Sequence, residues 1–367
     1  MDTQALSTAG QAAALFDFPG PVTAMEPYGE GHINDTYRLG VRAGEGETRR
    51  FILQRLNTQV FKDPKGLMDN VTAVTRYLEK AMGGEGAPHG GQAEILRVIP
   101  TKAGENHLTL PNGEVWRAYN FIEGGVSFQT ADDPRLIAAS AHAFGRFARL
   151  LDGFPAESLH ETIPKFHDTR SRLADFEKAL AADCHGRAAA CRPEIEFVQA
   201  HAQDCAMLMN LLEAGELPAR VTHNDTKLNN VLINPETMHG VCVIDLDTVM
   251  PGLIHNDFGD AIRTCASTAA EDEQDLNKVR FDFEKYRLYA ESYLAEVGGI
   301  LRPKEREMLP WGARLMTLEC GMRFLTDHLQ GDVYFKIHRP GHNLDRARTQ
   351  FRLVTGMVDA WAELCRL

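Results

Sequence analysis

The sequence predicts an α+β protein of two lobes, in which a small strand-rich N-terminal lobe precedes a larger, mostly helical lobe. The chain has 367 residues, more than one ordinary compact core needs. Short apolar segments separated by glycine-rich turns dominate up to Ile122. Long segments with apolar residues at helical spacing dominate from Glu123 onward. We therefore expect lobes at residues 1–122 and 123–367.

The first lobe is predicted to contain a hairpin-rich sheet and one helix. Three strands are expected within residues 21–56, because Gly44 and Gly46 mark a hairpin turn between two apolar segments. A helix is expected after Pro64, where apolar residues recur at helical spacing. Further strands are expected over Ala93–Pro100, His107–Leu110 and Glu114–Ile122.

The second lobe is predicted to be helical except for one stretch. That stretch, Val221–Gly252, combines a polar loop with two short apolar strands, Val231–Asn234 and Val241–Leu246. The loop before the strand pair is dense in hydrogen-bonding residues, among them His223, Asp225, Lys227 and Asn230, so it is a candidate site. The expected helices cover about 134–152, 165–184, 193–215, 275–298, 304–330 and 342–364.

Composition excludes several classes of protein. With 39 basic against 51 acidic residues and a formal charge of -12, the chain lacks the cationic excess of a nucleic-acid binder. No Lys or Arg precedes Arg38 and no apolar segment approaches membrane-spanning length, so we expect a cytoplasmic protein without a membrane partner. These features do not predict an oligomeric state.

The cysteines predict reduced thiols. Their number, seven, is odd, and no CxxC pair occurs. Cys184, His185 and Cys191 lie close in sequence, but a fourth zinc ligand is not evident. We therefore predict neither a disulfide framework nor a zinc site.

The loop contains a pattern with chemical meaning, His223-x-Asp225-x-x-x-x-Asn230, followed by a strand that ends at Asp245. Three such fixed positions arise by chance in roughly a few per cent of chains of this length. A carboxylate, an amide five residues later and a second carboxylate suit phosphoryl transfer from a magnesium nucleotide to a hydroxyl. The alternative is a polar loop that only caps two strands.

Six segments carry a resemblance to a known family: YGEGHINDTY, FILQRLN, WRAYNFIEG, HNDTKLNN, VIDLDTVMPG and NDFGDAIRT. They resemble the aminoglycoside phosphotransferase and choline kinase superfamily, and within it the N-acetylhexosamine 1-kinases. The resemblance runs from about residue 20 to the C-terminal helices. It implies a bilobal protein-kinase-like fold, the cofactors ATP and Mg²⁺, and phosphorylation of the anomeric hydroxyl of a small-molecule substrate, N-acetylglucosamine or N-acetylgalactosamine.

The resemblance implies that Asp225 is the catalytic base and contacts the substrate, and that Asn230 and Asp245 are magnesium ligands. Lys227 lies two residues past the base, where an extended loop would place its ammonium on the same side to neutralise the transferred group. His223 is expected to brace the loop by hydrogen bonding. The role of Asp247 stays open between metal coordination and strand-end hydrogen bonding.

The nucleotide site is predicted on the first lobe. Gly29 and Gly31 would form the loop over the phosphates, although the third glycine of protein kinases is missing. His32 and Asn34 are expected to face the substrate or the phosphates. Arg55 on the third strand is the expected cation for the α- and β-phosphates.

Strand alternation makes Gln54 the alternative to Arg55, because the two side chains point to opposite faces. The acidic partner of Arg55 stays open between Asp69 and Glu79. The segment WRAYNFIEGG resembles a kinase hinge, and the backbone of Asn120, Phe121 and Ile122 would meet the adenine.

The acceptor site is predicted on the second lobe. Glu319, Arg323 and Asp327 follow one another at intervals of four on one predicted helix face. The resemblance implies that Arg323 and Tyr334 reach the sugar. Asp260, near a helix start, is either a cap or a support of the catalytic loop.

Two other functions stay open. A kinase of another small alcohol, such as an aminoglycoside, choline or homoserine, would need an acidic cleft if its substrate is cationic. A non-catalytic sugar or nucleotide sensor would not require the base Asp225. A protein kinase is disfavoured, since no long activation segment follows Asp245.

Overall fold

The computed structural model describes residues 3–29, 33–44, 46–83 and 94–366, without the side chains of residues 3–5. The chain forms two compact units. Unit 1 comprises Met1–Val126, Gly153–Pro164 and Leu232–Met250. Unit 2 comprises Ser127–Asp152, Lys165–Val231 and Pro251–Leu367. The first predicted lobe, residues 1–122, lies within unit 1, but residues 123–126, 153–164 and 232–250 of the second predicted lobe also belong to unit 1.

Unit 1 is built on an antiparallel sheet. The strand order is β1-β2-β3-β6-β4, and β5 also pairs with β6. The three strands expected within residues 21–56 and the helix expected after Pro64 are present, and a further N-terminal helix was not predicted. The elements are α1 (Thr3–Ala13), β1 (Val22–Pro27), β2 (Asp35–Arg42), β3 (Thr48–Leu56), α2 (Pro64–Met82), β4 (Val98–Ile99), β5 (Leu108–Thr109) and β6 (Val115–Asn120).

The register of the sheet decides which side chains share a face. Gln54 pairs with Arg117, and Leu53 pairs with Ala118. Leu53 and Ala118 are buried in one cluster with Ala12 of α1. Because alternate residues of a strand point to opposite faces, Gln54 and Arg117 lie on the face that α1 does not cover.

Helix α2 begins as its sequence predicts. Pro64 occupies the first turn, and the carboxylate of Asp63 accepts the backbone N–H of Gly66 at 2.9 Å. Strands β9 (Val231–Ile233) and β10 (Gly240–Val243), which lie in unit 1 except for Val231, pair as the sequence predicts.

Unit 2 is mostly helical, so the predicted α+β class is confirmed. Strand β8 (Arg220–Thr222) lies in unit 2, and β7 (Val126–Ser127) and β11 (Met250–Gly252) each begin at the last residue of a unit 1 segment. No helix in the described ranges is long and apolar enough to cross a membrane. The helices are α3 (Pro134–Leu150), α4 (Thr169–Ala182), α5 (Arg192–Ala200), α6 (Met207–Glu213), α7 (Ile254–Cys265), α8 (Phe283–Val297), α9 (Pro303–Leu329), α10 (His342–Asp359) and α11 (Trp361–Leu364).

Several predicted helix boundaries were wrong, and capping residues explain two of them. The helix expected from 165 begins at Thr169 because Asp168 accepts the N–H groups of Arg170 and Ser171. The helix expected from 275 begins at Phe283, since Asp282 caps it. The single helix expected over 193–215 is two helices, α5 and α6, separated by a 3₁₀ turn at Ala202–Ala206.

Helices α7 and α9 cross at two glycines. A Cβ atom on Gly259 would lie 2.2 Å from the carbonyl oxygen of Gly312, which no side chain tolerates. The close crossing fixes the first turns of α7 against the middle of α9. Helix α7 supplies side chains to the loop described next, and α9 is linked to that loop through His167.

Candidate active site

The loop after β8 is held by carboxylates of α7. Asp257 accepts the backbone N–H groups of His223 and Asn224 at 2.8 and 2.7 Å. Asp260 accepts the N–H of Thr226 at 2.8 Å. Asn224 has a φ of +64°, an uncommon conformation that these bonds stabilise.

The two carboxylates differ in charge environment. Burial raises the pKa of Asp257 to about 6, although the two loop N–H groups favour its ionised form. Burial acts in the same direction on Asp260, but Arg263, whose Nη2 lies 2.8 Å from Asp260 Oδ1, outweighs it and lowers the pKa of Asp260. Asp260 is therefore a support of the loop, as one of the two predicted roles had it.

Asp225 is bound by the two neighbours that the sequence singled out. The Nδ2 of Asn230 donates to Asp225 Oδ2 at 2.9 Å and to its carbonyl oxygen at 2.8 Å. Lys227 Nζ lies 2.9 Å from Asp225 Oδ2. The side chains of Asp225 and Lys227 are 29% and 39% exposed, so both groups can be reached from solvent. The loop therefore brings together a carboxylate, an amide and an ammonium.

His223 is fully buried below this trio. Its ring stands edge-on to Phe144 and Phe147, with centroids 5.4 and 5.9 Å away. Its Nδ1 accepts the backbone N–H of Asp225 at 3.3 Å. This environment supports bracing by His223.

His167 ties the loop to α9. Its Nε2 lies 3.1 Å from the carbonyl oxygen of Asn224, and its Nδ1 lies 2.9 Å from Glu319 Oε1. Glu319 is buried and also accepts the hydroxyl of Thr169 at 2.8 Å. Burial opposes ionisation of Glu319, but His167 and the nearby arginines lower its pKa. Each ring nitrogen of His167 therefore lies next to an oxygen atom, one on Asn224 and one on Glu319.

One turn further along α9, Arg323 lies among aromatic rings. Its guanidinium carbon is 5.5 Å from the ring centroids of Phe166 and Phe335 and 5.9 Å from that of Tyr334. Burial and the charge of Arg323 lower the pKa of Arg172, which shows that two guanidinium groups share this region. The predicted pair Arg323 and Tyr334 is therefore brought together in unit 2.

In unit 1, Asp247 is the centre of a buried polar cluster. Its Oδ1 accepts from the guanidinium of Arg117, and its Oδ2 accepts from Asn34 Nδ2 at 2.7 Å. Arg117 also donates to Gln54 Oε1 at 2.9 Å. Burial disfavours the charge of Arg117, but Asp247 outweighs it and raises the pKa of Arg117 above its ordinary value. Both oxygens of Asp247 are engaged, which favours strand-end hydrogen bonding over metal coordination.

Asn34 and Asp245 flank this cluster. The Oδ1 of Asn34 accepts the backbone N–H of Asn57 at 2.9 Å, so its amide is engaged at both ends rather than directed at a substrate or phosphate. Asp245 follows β10 with a φ of +62°, and its charge contributes to the raised pKa of Arg117. Gly29, with a φ of +79°, lies in a turn before them. Gly31 and His32 lie outside the described residues.

The structure separates Arg55 from this cluster. Arg55 lies on the α1 face of β3 and pairs with Asp35 and Glu114, with Nε–Oδ2 and Nη1–Oε1 distances of 2.8 Å. The two acids left open as its partner have other partners in the described part of the chain. Asp69 pairs with Lys65, and Glu79 pairs with Arg97.

The predicted hinge has part of its backbone engaged. The N–H of Asn120 donates to the carbonyl of Arg97 at 3.1 Å, and that of Phe121 donates to the carbonyl of Arg50 at 3.3 Å. Ile122 is buried. An adenine at this strand end would therefore not receive the N–H groups of Asn120 and Phe121.

The comparisons with known proteins identify the family. The family model described as "phosphotransferase enzyme family" (APH) matches residues 24–291, most of the chain. The chain belongs to the phosphotransferase enzyme family. The resemblance seen in the sequence is thereby confirmed at the level of this family.

Solved structures of phosphotransferases share the fold. The chain is similar to an aminoglycoside phosphotransferase from Alicyclobacillus acidocaldarius, with a TM-score of 0.57 and 14% identity over 100% of this chain and 97% of that one. It is similar to aminoglycoside 2'-phosphotransferase-IIIa in its GDP complex, with a TM-score of 0.59 and 12% identity over 95% and 99%. A choline kinase from Cryptosporidium parvum gives a TM-score of 0.55 and 14% identity over 99% and 96%.

Sequence reasoning missed Arg117, Asp257 and His167. Arg117 had a local signal, because it is the one charged residue in the strand Val115–Asn120, and a charge in a buried strand needs a partner. Asp257 lies in the segment NDFGDAIRT, but no pattern pointed to its contact with the loop, and His167 had no signal beyond its residue type. Their partners lie 33 to 152 residues away in sequence.

Proposed function

We propose that this phosphotransferase is an ATP-dependent kinase that phosphorylates the anomeric hydroxyl of an N-acetylhexosamine. The observation that carries the proposal is the arrangement around Asp225, whose carboxylate is 2.9 Å from both Asn230 Nδ2 and Lys227 Nζ. A carboxylate fixed in this way and still partly exposed suits a group that receives a proton from an incoming hydroxyl.

In the proposed reaction, Asp225 accepts the proton of the anomeric hydroxyl as the sugar oxygen forms a bond to the γ-phosphorus of ATP. The bond between that phosphorus and the bridging oxygen breaks, and ADP leaves with the electron pair. Lys227 is a suitable counter-charge for the transferred group, since its ammonium lies beside the base. An anomeric hydroxyl is more acidic than a simple alcohol, so a carboxylate base suffices.

The predicted magnesium ligands are Asn230 and Asp245. The contacts of each residue are compatible with an oxygen ligand of Mg²⁺. The Nδ2 of Asn230 is directed at Asp225, which leaves the amide oxygen as the end able to bind a cation. Asp245 offers a carboxylate next to Asp247, whose own oxygens are engaged by Arg117 and Asn34. Bound Mg²⁺ would neutralise charge on the ATP phosphates.

We propose that nucleotide binding depends on Arg117, rather than on Arg55, as the basic residue of unit 1. Arg117 shares its face with Gln54 and carries a charge next to Asp247 and Asp245. Arg55 is engaged by two carboxylates on the other face. The carbonyl groups of the hinge, Asn120 to Ile122, remain our candidates for adenine recognition.

The positive charge of Arg323 supports a neutral rather than a cationic acceptor. The faces of Phe166, Tyr334 and Phe335 lie next to its guanidinium, so a quaternary ammonium or amine would compete with a resident cation. A neutral sugar instead offers hydroxyl and acetamido oxygens to the guanidinium and an apolar ring face to an aromatic side chain. This favours an N-acetylhexosamine over choline or an aminoglycoside.

The experiment is an ADP-release assay with Mg-ATP and a panel of acceptors. The panel comprises N-acetylglucosamine, N-acetylgalactosamine, glucose, choline, homoserine and kanamycin. We expect turnover with one or both N-acetylhexosamines and little with the cationic compounds. Turnover confined to choline, homoserine or kanamycin would reject the proposal, and tight sugar binding without turnover would indicate a sensor.

A further inference from the structure

Asp327, near the C-terminal end of α9, organises the segment Asp332–Phe335. Its Oδ1 accepts the backbone N–H groups of Val333 and Tyr334 at 2.9 and 2.7 Å. Its Oδ2 accepts the N–H of Phe335 at 2.9 Å. One buried carboxylate therefore satisfies three consecutive backbone donors, a strong and directional arrangement.

A second layer of bonds holds this carboxylate and the start of the segment. Asn343 Nδ2 donates to Asp327 Oδ2 and to Asp332 Oδ1, at 2.9 Å each. Arg187 Nη1 donates to Asp332 Oδ2 at 2.6 Å and to the carbonyl oxygen of His328 at 2.7 Å. Asp332 has a φ of +62°, a conformation that these contacts support.

The segment displays apolar side chains to solvent from this fixed backbone. Val333 is 75% exposed and Tyr334 is 66% exposed. Arg323, whose guanidinium lies 5.9 Å from the Tyr334 ring, is one turn before Asp327 on the same helix. A rigid backbone under an exposed aromatic ring lowers the entropy that a ligand must remove on binding.

We propose that Asp327 is a positioning residue for acceptor recognition, because it fixes Tyr334 beside Arg323 before the acceptor arrives. The proposal rests on the proposed function, in which Arg323 and Tyr334 contact the sugar. Asp327 itself does not take part in phosphoryl transfer. Its loss therefore weakens acceptor binding and leaves nucleotide binding and the maximal rate unchanged.

The test variant is Asp327→Asn, which keeps the size of the side chain. Each oxygen of Asp327 accepts two hydrogen bonds. In either orientation of the asparagine amide, Nδ2 replaces one of these oxygens, so two of the four hydrogen bonds are lost. We expect the KM for the N-acetylhexosamine to rise about threefold to tenfold, because the acceptor must then order the Tyr334 side chain when it binds. The KM for ATP and kcat at saturating acceptor should stay at the wild-type values.

A double-mutant cycle with Tyr334→Ala separates positioning from general damage. If Asp327 acts through Tyr334, the double variant has the same acceptor KM as Tyr334→Ala alone. Hydrogen exchange should show faster exchange at the amides of residues 333–335 in Asp327→Asn, with the middle of α9 unchanged. Additive effects on KM, or unchanged exchange at these amides, would overturn the inference.

Asp345→Asn is the matched control, because this carboxylate of α10 pairs with Arg339 and the substitution removes the same charge nearby. We expect it to leave the acceptor KM unchanged, and an equal rise in both variants would also overturn the inference. Calorimetric binding of N-acetylglucosamine to the same variants keeps the two proposals apart. Binding without turnover in the wild type rejects the proposed function, whereas an Asp327→Asn affinity equal to wild type rejects the role of Asp327.

Discussion

The guanidinium of Arg117 donates to the carboxylate of Asp247, and both side chains are almost fully buried. Removing one partner of such a pair leaves an uncompensated charge in the interior. We predict that Arg117→Met lowers the free energy of unfolding by about 3–5 kcal/mol, measured by urea denaturation. The same variant should raise the KM for ATP, since the segment with Asp245 loses its support.

Arg55→Met is the matched comparison, because Arg55 is a partly exposed arginine on the same strand pair. Exposed ion pairs contribute little, so its free energy of unfolding should stay within about 1 kcal/mol of wild type. The KM for ATP should also be unchanged. A larger rise of this KM in Arg55→Met than in Arg117→Met would restore Arg55 as the phosphate-binding residue.

Asp257 should make stability depend on pH. Its pKa is about 6 in the folded protein against an ordinary value of 3.8, so the folded state binds more protons between these values. The free energy of unfolding contributed by Asp257 therefore falls as the pH rises from about 3.8 to 6, and is constant above that window. Below about 3.8 both states are protonated and the contribution is again constant.

Denaturation of wild type and Asp257→Asn at several pH values measures this effect. We expect the difference in unfolding free energy, wild type minus variant, to decrease across the window and to level off above it. A difference that increases with pH, or that does not change, would contradict the raised pKa. Asp260→Asn serves as a comparison, because Arg263 lowers the pKa of Asp260, so its difference should rise with pH only below the ordinary value of 3.8 and stay constant above it.

Glu319 should influence catalysis through His167. Glu319→Gln removes the carboxylate charge next to Nδ1 of His167, so the His167 ring should hold the Asn224 carbonyl less firmly. Asn224 directly precedes the proposed base, Asp225. We predict about a tenfold lower kcat with little change in either KM, because a displaced Asp225 carboxylate affects the chemical step. Thr169→Ala is the control: it removes one bond to the other oxygen of Glu319 and keeps the charge. An equal loss of kcat in both variants would refute a charge-dependent role.

Much of the loop could be predicted from the sequence because its relationships are local. Asp225, Lys227 and Asn230 lie within six residues, and the backbone of one loop suffices to bring their side chains together. The strands β9 and β10 could also be predicted from the sequence, since a short turn joins them. The family resemblance added the roles of these residues, which spacing alone does not give.

The remaining parts depended on information that is not local. Alternation separated Gln54 from Arg55, but it did not say which face of β3 would be covered. That choice depends on α1, a helix of mostly small residues that was not predicted. The link from Glu319 to the loop likewise required His167, 152 residues earlier, and no spacing rule reaches so far.

The central claim is that Asp225 accepts the proton of an anomeric hydroxyl. The most direct measurement is ³¹P NMR of the product formed from Mg-ATP and N-acetylglucosamine or N-acetylgalactosamine, by wild type and by Asp225→Asn. We predict a sugar 1-phosphate with wild type and a rate about 10²–10⁴-fold lower with the variant, whose affinity for ATP is retained. Phosphate on another hydroxyl, no phosphorylated sugar with wild type, or a wild-type rate in Asp225→Asn would contradict the claim.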